Sequence, residues 1–390
     1  MDGADFGVYL HMPFCVAKCR YCDFNSYAGL GGLIPDYLAA LAAEMEAVAS
    51  QVARGRARTL YVGGGTPSLL AADQISAMIA LVRRLFALPE SAEVTLEANP
   101  GTVDERYLRD IARAGVNRLS LGVQSFDDTR LRSLGRIHNA AEAVAACEAA
   151  RRAGFGNLSL DLIYATPGQT VAELLADLAQ VKALAPEHLS LYALQIEAGT
   201  PLAADVAAGR VEPLSADSAV DLWQAAAEAL SASGYERYEV SNWARGGQEG
   251  DLLSCRHNLV YWRYEEYLGF GAGAHSYFAG RRYANVAAPR EYVARISAGR
   301  EAVLAEEETS PIQAARDALM LGLRLNEGVD PAEFRLRFGV DLAADCASDL
   351  LALSGLGLVV WPAARLVVTE RGRLLLHEVL VRLLPELQVA

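Results

Sequence analysis

Short apolar runs alternate along this chain with longer stretches in which apolar positions recur every three or four residues, the periods of strand and helix. The first run, Val8–Met12, precedes a helix predicted over Pro35–Arg54, with Leu38, Leu41, Met45 and Val48 on one face. Strands are then predicted at Thr59–Val62, Glu93–Glu97, Arg118–Phe126, Leu158–Ile163 and His188–Leu194. Helices fall between them at Ala72–Phe86, Val103–Ala114, Ala140–Ala153 and Val171–Leu184. Six strand–helix units with short connections, from Val8 to about Ser241, predict an α/β architecture with a parallel sheet, an incomplete TIM-like (β/α)6 barrel over 1–241.

The pattern changes near Val240. Residues 242–305 begin with a concentration of aromatics and arginines, among them Trp243, Arg256, Tyr261, Trp262, Tyr264, Tyr267, Arg282 and Tyr283, together with His257 and His275. They read as an extension closing the barrel, either as an aromatic core or as a slot for a flat macrocycle whose carboxylates pair with arginine. A charged link at Glu306–Ser310 opens a third region, 306–390, with helices at Pro311–Leu325 and Asp330–Phe338. Apolar runs at Gly355–Val360 and Arg365–Thr369 then suggest a small helical, winged-helix-like domain.

Charge narrows the choice of partner. A net charge of −13 argues against a duplex nucleic acid, so the last domain is expected to pack against the barrel mouth instead of reading DNA. The six cysteines suit a reducing compartment. No basic leader precedes Lys18, and no apolar run reaches the ~18 residues of a membrane span, so the expected location is cytoplasmic, with peripheral membrane contact left open.

The chemistry concentrates just after the first strand. Cys15, Cys19 and Cys22 stand at C-x3-C-x2-C spacing. Three thiolates on one compact loop can hold three irons of a [4Fe–4S] cube and leave the fourth open to a small chelator, for which S-adenosylmethionine is suited. A zinc site would need a fourth ligand such as His11, and a disulfide would leave one thiol over. Cys147, Cys255 and Cys346 read as small buried hydrophobes. Gly63–Pro67, after the second strand, is a tight turn or a close backbone approach to a ligand, and it lacks the lysine of a nucleotide-triphosphate loop. Cys15, Gly65, Glu97, Gln124 and Asp161 each fall at or beyond the C-terminal end of a predicted strand, the face on which ligand-binding groups of a barrel converge.

The run YLHMPFCVAKCRYCDF resembles the cluster loop of radical S-adenosylmethionine proteins, in the branch that contains anaerobic coproporphyrinogen III oxidase and, most similar of all, the haem chaperones. LEANPG, GVQSF, LGRIHN and DLIYATPGQT resemble that branch as well, and His257–Trp262 resembles the HNxxYW signature of the chaperones. The resemblance implies that Cys15, Cys19 and Cys22 ligate a [4Fe–4S] cluster, and that Tyr9, Gly64, Glu97 and the Gly65–Thr66 turn contact S-adenosylmethionine. Gln124, Arg136 and Asp161 match positions that serve a second S-adenosylmethionine in the oxidase. His257, with His275 behind it, is implied as an iron ligand of haem. The implied partners are haem, haem-accepting respiratory proteins and an electron donor for the cluster. Ala165–Thr166 stands where the branch carries Gly-Leu, and Phe24 stands where the oxidase carries a fourth cysteine. A haem chaperone is therefore the expected function, ahead of the oxidase or another radical enzyme.

Overall fold

The structure, a computed structural model, describes residues 5–52, 55–247, 252–385 and 387. Its centre is six parallel strands: β1 (Phe6–Met12), β2 (Ala57–Gly64), β3 (Glu93–Ala98), β4 (Arg118–Gln124), β5 (Leu158–Tyr164) and β6 (His188–Ala193). They lie side by side in chain order. The crossovers are α1 (Ile34–Ala49), α2 (Ala72–Phe86), α3 (Glu105–Arg113), the pair α4 (Asp128–Leu134) and α5 (Ala140–Arg152), and α6 (Val171–Leu184). The sequence pattern missed α4, a short seven-residue helix between longer signals. The predicted helix end at Arg54 lies outside the described residues; α1 itself stops at Ala49.

Both faces of the six strands are shielded from solvent, but by different means. Val8, Leu10, Leu60, Val62, Val94, Leu96, Leu119, Leu121, Leu160, Leu162, Leu189 and Leu191 are all buried and belong to one hydrophobic core with the helices. The alternate residues point the other way. From Tyr9 on β1 to Ser190 on β6 they line a single cavity, so the sheet is curved around a lumen. Among the described residues, hydrogen bonding does not close it. After α7 (Pro201–Ala207) and α8 (Ala216–Ala232), the short antiparallel strands β7 (Glu236–Arg237) and β8 (Asn242–Ala244) extend the β6 edge. On the opposite edge β9 (Tyr267–Phe270) pairs in parallel with β1 and leads into an antiparallel meander, β10 (His275–Phe278), β11 (Arg281–Asn285) and β12 (Val303–Glu308).

Between these extensions runs α9 (Arg256–Trp262), which floors the lumen. The Glu93 carboxylate, at the start of β3, accepts the N–H groups of Arg256 and His257 at 3.0 Å each. A negative charge on these exposed donors satisfies groups the helix leaves unpaired. Of the aromatics read as either a core or a macrocycle slot, several are packed as a core: Trp243, Tyr264 and Phe270 are buried, and Tyr261 meets Tyr267 edge to face at 4.6 Å.

The acidic run read as a link is instead the edge strand β12. Glu306, Glu307 and Glu308 lie opposite Tyr283, Arg282 and Arg281, and Arg281 forms an ion pair with Glu306. An exposed acidic edge discourages pairing with a further strand. The last domain thus opens at Ser310, whose hydroxyl caps α10 (Pro311–Gly322). It has its own core, including Leu319, Phe334, Leu350, Leu353, Leu366 and Val379, around helices and a Val359–Val360/Val367–Val368 hairpin.

One buried carboxylate ties α1 to the loop after β9. Glu44 accepts from the Gly271 N–H (2.9 Å), the Tyr292 hydroxyl (2.6 Å) and the Asn285 amide (2.5 Å). Burial raises its pKa, and these three donors oppose the shift. Replacing Glu44 by Ala leaves those donors without an acceptor. Glu44→Ala is expected to lower the unfolding free energy by about 3 kcal/mol, measured by urea denaturation; a change below about 1 kcal/mol would show that water replaces the carboxylate without cost.

Candidate functional site

The lumen holds a cavity of about 600 Å³, within the usual range of small-molecule sites. Its mouth is the loop after β1. Phe14–Cys15 pairs in parallel with Tyr27–Ala28, so the loop folds back on itself. It is tied down on several sides. Asn25 donates to the carbonyls of Ala272 (2.9 Å) and Ala287 (3.0 Å), and its own carbonyl lies 2.8 Å from His11 Nε2. The Arg20 N–H donates to Leu134 O at 3.0 Å, and the Arg20 guanidinium pairs with Asp205.

This anchoring presents three half-buried thiols to one cavity. Each has a different polar neighbour. The Thr66 hydroxyl donates to Cys15 Sγ (3.6 Å), Arg136 Nη1 to Cys19 Sγ (3.2 Å), and Ser26 Oγ lies 3.9 Å from Cys22 Sγ. Burial pushes the Cys22 thiol up, so a cationic or metal partner is needed for it to ionise. Among the described residues no three such side chains converge on a single ion position. A cube in which every thiolate takes its own iron requires no such convergence, and the donor set fits it.

The glycine-rich turn is laced to the same loop. The Gly65 N–H donates to Met12 O (2.8 Å) and the Thr66 N–H to Phe14 O (2.7 Å). Side chains have no room here: a Cβ on Gly64, at φ +115°, would lie 2.6 Å from the His11 ring, and one on Gly65 2.6 Å from Phe14 O. Beneath the turn Glu97 accepts the Tyr61 hydroxyl (2.7 Å) and the Gly64 N–H (3.0 Å). Burial, reinforced by the Asp161 charge, pushes Glu97 up to about 7 against those two hydrogen bonds. Tyr9 lies against Tyr61, with its hydroxyl 2.9 Å from His11 Nδ1.

Across the cavity, Gln124 ends β4 in the left-handed region at φ +69°, a strained conformation for a residue with a side chain. The missing side chain of Gly122 leaves room for the Gln124 amide and for Arg136, which donates to Gly122 O at 2.7 Å. Asp161 accepts the Ser120 hydroxyl at 3.1 Å, and burial raises its pKa.

His257 is on the floor. It is 1% exposed, and both ring nitrogens are engaged, Nδ1 with Thr59 Oγ1 (2.8 Å) and Nε2 with the Tyr261 hydroxyl (2.9 Å). Burial, with help from Arg118, lowers its pKa to about 3, which keeps it neutral. His11, His138 and His188 are also buried with both nitrogens hydrogen-bonded. His275 and His377 are exposed.

One cavity therefore gathers Cys15, Cys19, Cys22, Tyr9, Gly64, Gly65, Thr66, Glu97, Gln124, Arg136, Asp161 and His257. It also contains Tyr61, Arg118, Ser120, His188 and Ser190, which strand-end reasoning missed. Their signal was the period of two: a polar residue at every second position of strands whose other positions are Leu and Val.

The profile of the Radical SAM superfamily matches residues 9–181, and that of the HemN C-terminal domain matches 309–375. Proteins named heme chaperone HemW are similar over most of the chain. The one from Mycobacterium tuberculosis (strain H37Rv) is 38% identical over 98% of this chain and 96% of its own length. The one from Bacillus subtilis is 34% identical over 97% and 99%. Among solved structures, coproporphyrinogen III oxidase (HemN) from Escherichia coli superimposes with a TM-score of 0.83 at 26% identity, covering 97% of this chain and 90% of that one.

Glu97 yields a pH test. A carboxyl group raised from 4.5 to about 7 contributes its full stability at low pH and loses it as pH rises from 4.5 through 7. In cofactor-free protein, Glu97→Gln should shrink the fall in urea midpoint between pH 5 and pH 8. An undiminished fall would place the titration on another group.

Proposed function

The chain belongs to the radical S-adenosylmethionine superfamily and, within it, to the family of proteins named heme chaperone HemW; from that membership we propose that it binds haem, together with a [4Fe–4S] cluster and S-adenosylmethionine, and passes haem to acceptor proteins. The observation that carries this reading is the near-full-length likeness to those relatives.

Cys15, Cys19 and Cys22 would hold the cluster, whose redox chemistry supplies an electron when an external donor has reduced it. Arg136, donating to Cys19 Sγ at 3.2 Å, would hold that ligand in place. Glu97, beside the Gly64 N–H, suits an ammonium group, and Gly64, Gly65 and Thr66 line the cavity beside it. Tyr9 would pack beside it. Gln124, Arg136 and Asp161, on the far wall, are assigned to a second S-adenosylmethionine.

Phe24 supports the chaperone over the oxidase. It is 64% exposed beside the cavity mouth and offers no thiol where the oxidase pattern has one. His257 is proposed as the haem ligand on its motif, and it can bind iron only by giving up Thr59 or Tyr261. The exposed His275 is the alternative that avoids this cost. The oxidase remains the second reading, favoured by the fully furnished lumen and by the superposition on HemN.

Two outcomes test the proposal. Cys15→Ala, Cys19→Ala and Cys22→Ala should each abolish the cluster in anaerobically reconstituted protein, with iron and sulfide analysis falling to background, while Cys147→Ala and Cys255→Ala keep it. Equal losses in the second pair would remove the three-thiol assignment. The wild-type chain should bind one haem and show no decarboxylation of coproporphyrinogen when cluster, cofactor and reductant are supplied; turnover would promote the oxidase. Haem bands that shift in His257→Ala support that ligand, and bands that shift only in His275→Ala move it there.

A further inference from the structure

β4 opens with a buried cation whose guanidinium lacks hydrogen-bond acceptors among the described residues. Arg118 is 2% exposed, lines the cavity, and has its Nε buried without a hydrogen-bond partner. Among the described residues neither a hydrogen bond nor an ion pair reaches its guanidinium.

The carboxylates that share the lumen are committed elsewhere. Glu93 accepts two backbone N–H groups of α9 and the Cys255 thiol (3.6 Å). Glu97 accepts Tyr61 and Gly64, and Asp161 accepts Ser120. Against burial, Cys255, Glu93 and Tyr61 attract the Arg118 charge through space and hold its pKa above the ordinary arginine value, but they accept none of its N–H groups, and buried donors without acceptors call for a partner that the protein does not supply.

We propose that Arg118 anchors a carboxylate-binding subsite at the floor of the lumen, which takes a small organic acid or the carboxylated side arm of a larger molecule. The planar fork of a guanidinium matches a carboxylate in bidentate fashion. A single cation neutralises a single charge, and a dianionic phosphate would add repulsion from Glu97 and Asp161 in the layer above. The subsite lies roughly 20 Å along β4 from the rim at Gln124, so it is separate from the position proposed for the cofactor's aminoacyl end at the cluster.

The test uses the full chain with its cluster reconstituted. Sodium propionate should raise the melting temperature of wild-type protein, sodium phosphate should not, and Arg118→Gln should abolish the propionate response. In a second arm, haem should bind about tenfold more tightly than haem dimethyl ester, and Arg118→Gln should erase that preference. Only this arm depends on the haem reading. A propionate response assigns a free acid, and a haem-against-ester preference assigns a side arm; either supports the subsite.

Without ligand, Arg118→Gln should melt below wild type, because it removes a cation that Glu93, Glu97 and Asp161 attract, so each probe response is read against that protein's own ligand-free melting temperature. An equal response to phosphate, or the absence of any difference between wild type and variant in both arms, would overturn the proposal. If Arg118→Gln does not fold, Arg118→Lys, which keeps the charge and loses the fork, decides: it should weaken the probes about tenfold, and unchanged affinity overturns the subsite.

Discussion

The structure depends on how six parallel strands bury polar groups. A parallel sheet is normally covered on both faces by apolar packing. Here only the outer face is treated in that way, with Leu and Val pressed against the helices. The lumen face carries Tyr, Glu, Arg, Ser, Asp and His instead, and buried polar groups must find partners. Most do, within the lumen itself: Tyr61 with Glu97, Ser120 with Asp161, Ser159 with His188, and Thr59 with His257. Cross-strand pairing thus gives a polar interior that is stiff before any ligand arrives. It also explains why groups left outside this pairing, above all Arg118, stand out as binding candidates.

The second requirement is a loop that holds its thiols still. Three cysteines within eight residues could be mobile, but this loop is fastened by contacts far away in sequence. Asn25 reaches Ala272 and Ala287, Tyr37 donates to His11 O at 2.8 Å, and Glu44 fixes the Gly271 backbone on which both depend. The meander that extends the β1 edge is therefore part of the apparatus that positions the cluster loop. Likewise α9 completes the chamber because Glu93 holds its N-terminus against the start of the barrel strands.

Much of this was legible in the sequence. The strand–helix alternation is local, so the six strands and their crossover helices, α4 excepted, could be read from periodicity alone. Strand ends could be recognised too, and with them Glu97, Gln124 and Asp161. What stayed hidden rests on partners distant in the chain. Glu306–Glu308 look like a linker until Arg281 and Arg282 are seen opposite them. His257 looks like an open ligand until Thr59 and Tyr261 are seen on its two nitrogens. Arg118, at the start of its strand and not the end, fell outside a search confined to the rim, although the polar residues at every second position of β4 already pointed inward.

In the proposed site, three thiolates would leave one iron open to S-adenosylmethionine, beside Gly64 and Glu97. The most direct measurement is pulsed electron–nuclear double resonance on the reduced cluster, with cofactor labelled by 15N in its amino group and 17O in its carboxylate. Both labels should show hyperfine coupling to the cluster, weakened in Glu97→Ala while the cluster itself is retained. No coupling at saturating cofactor, with the cluster intact, would rule out the open-iron site.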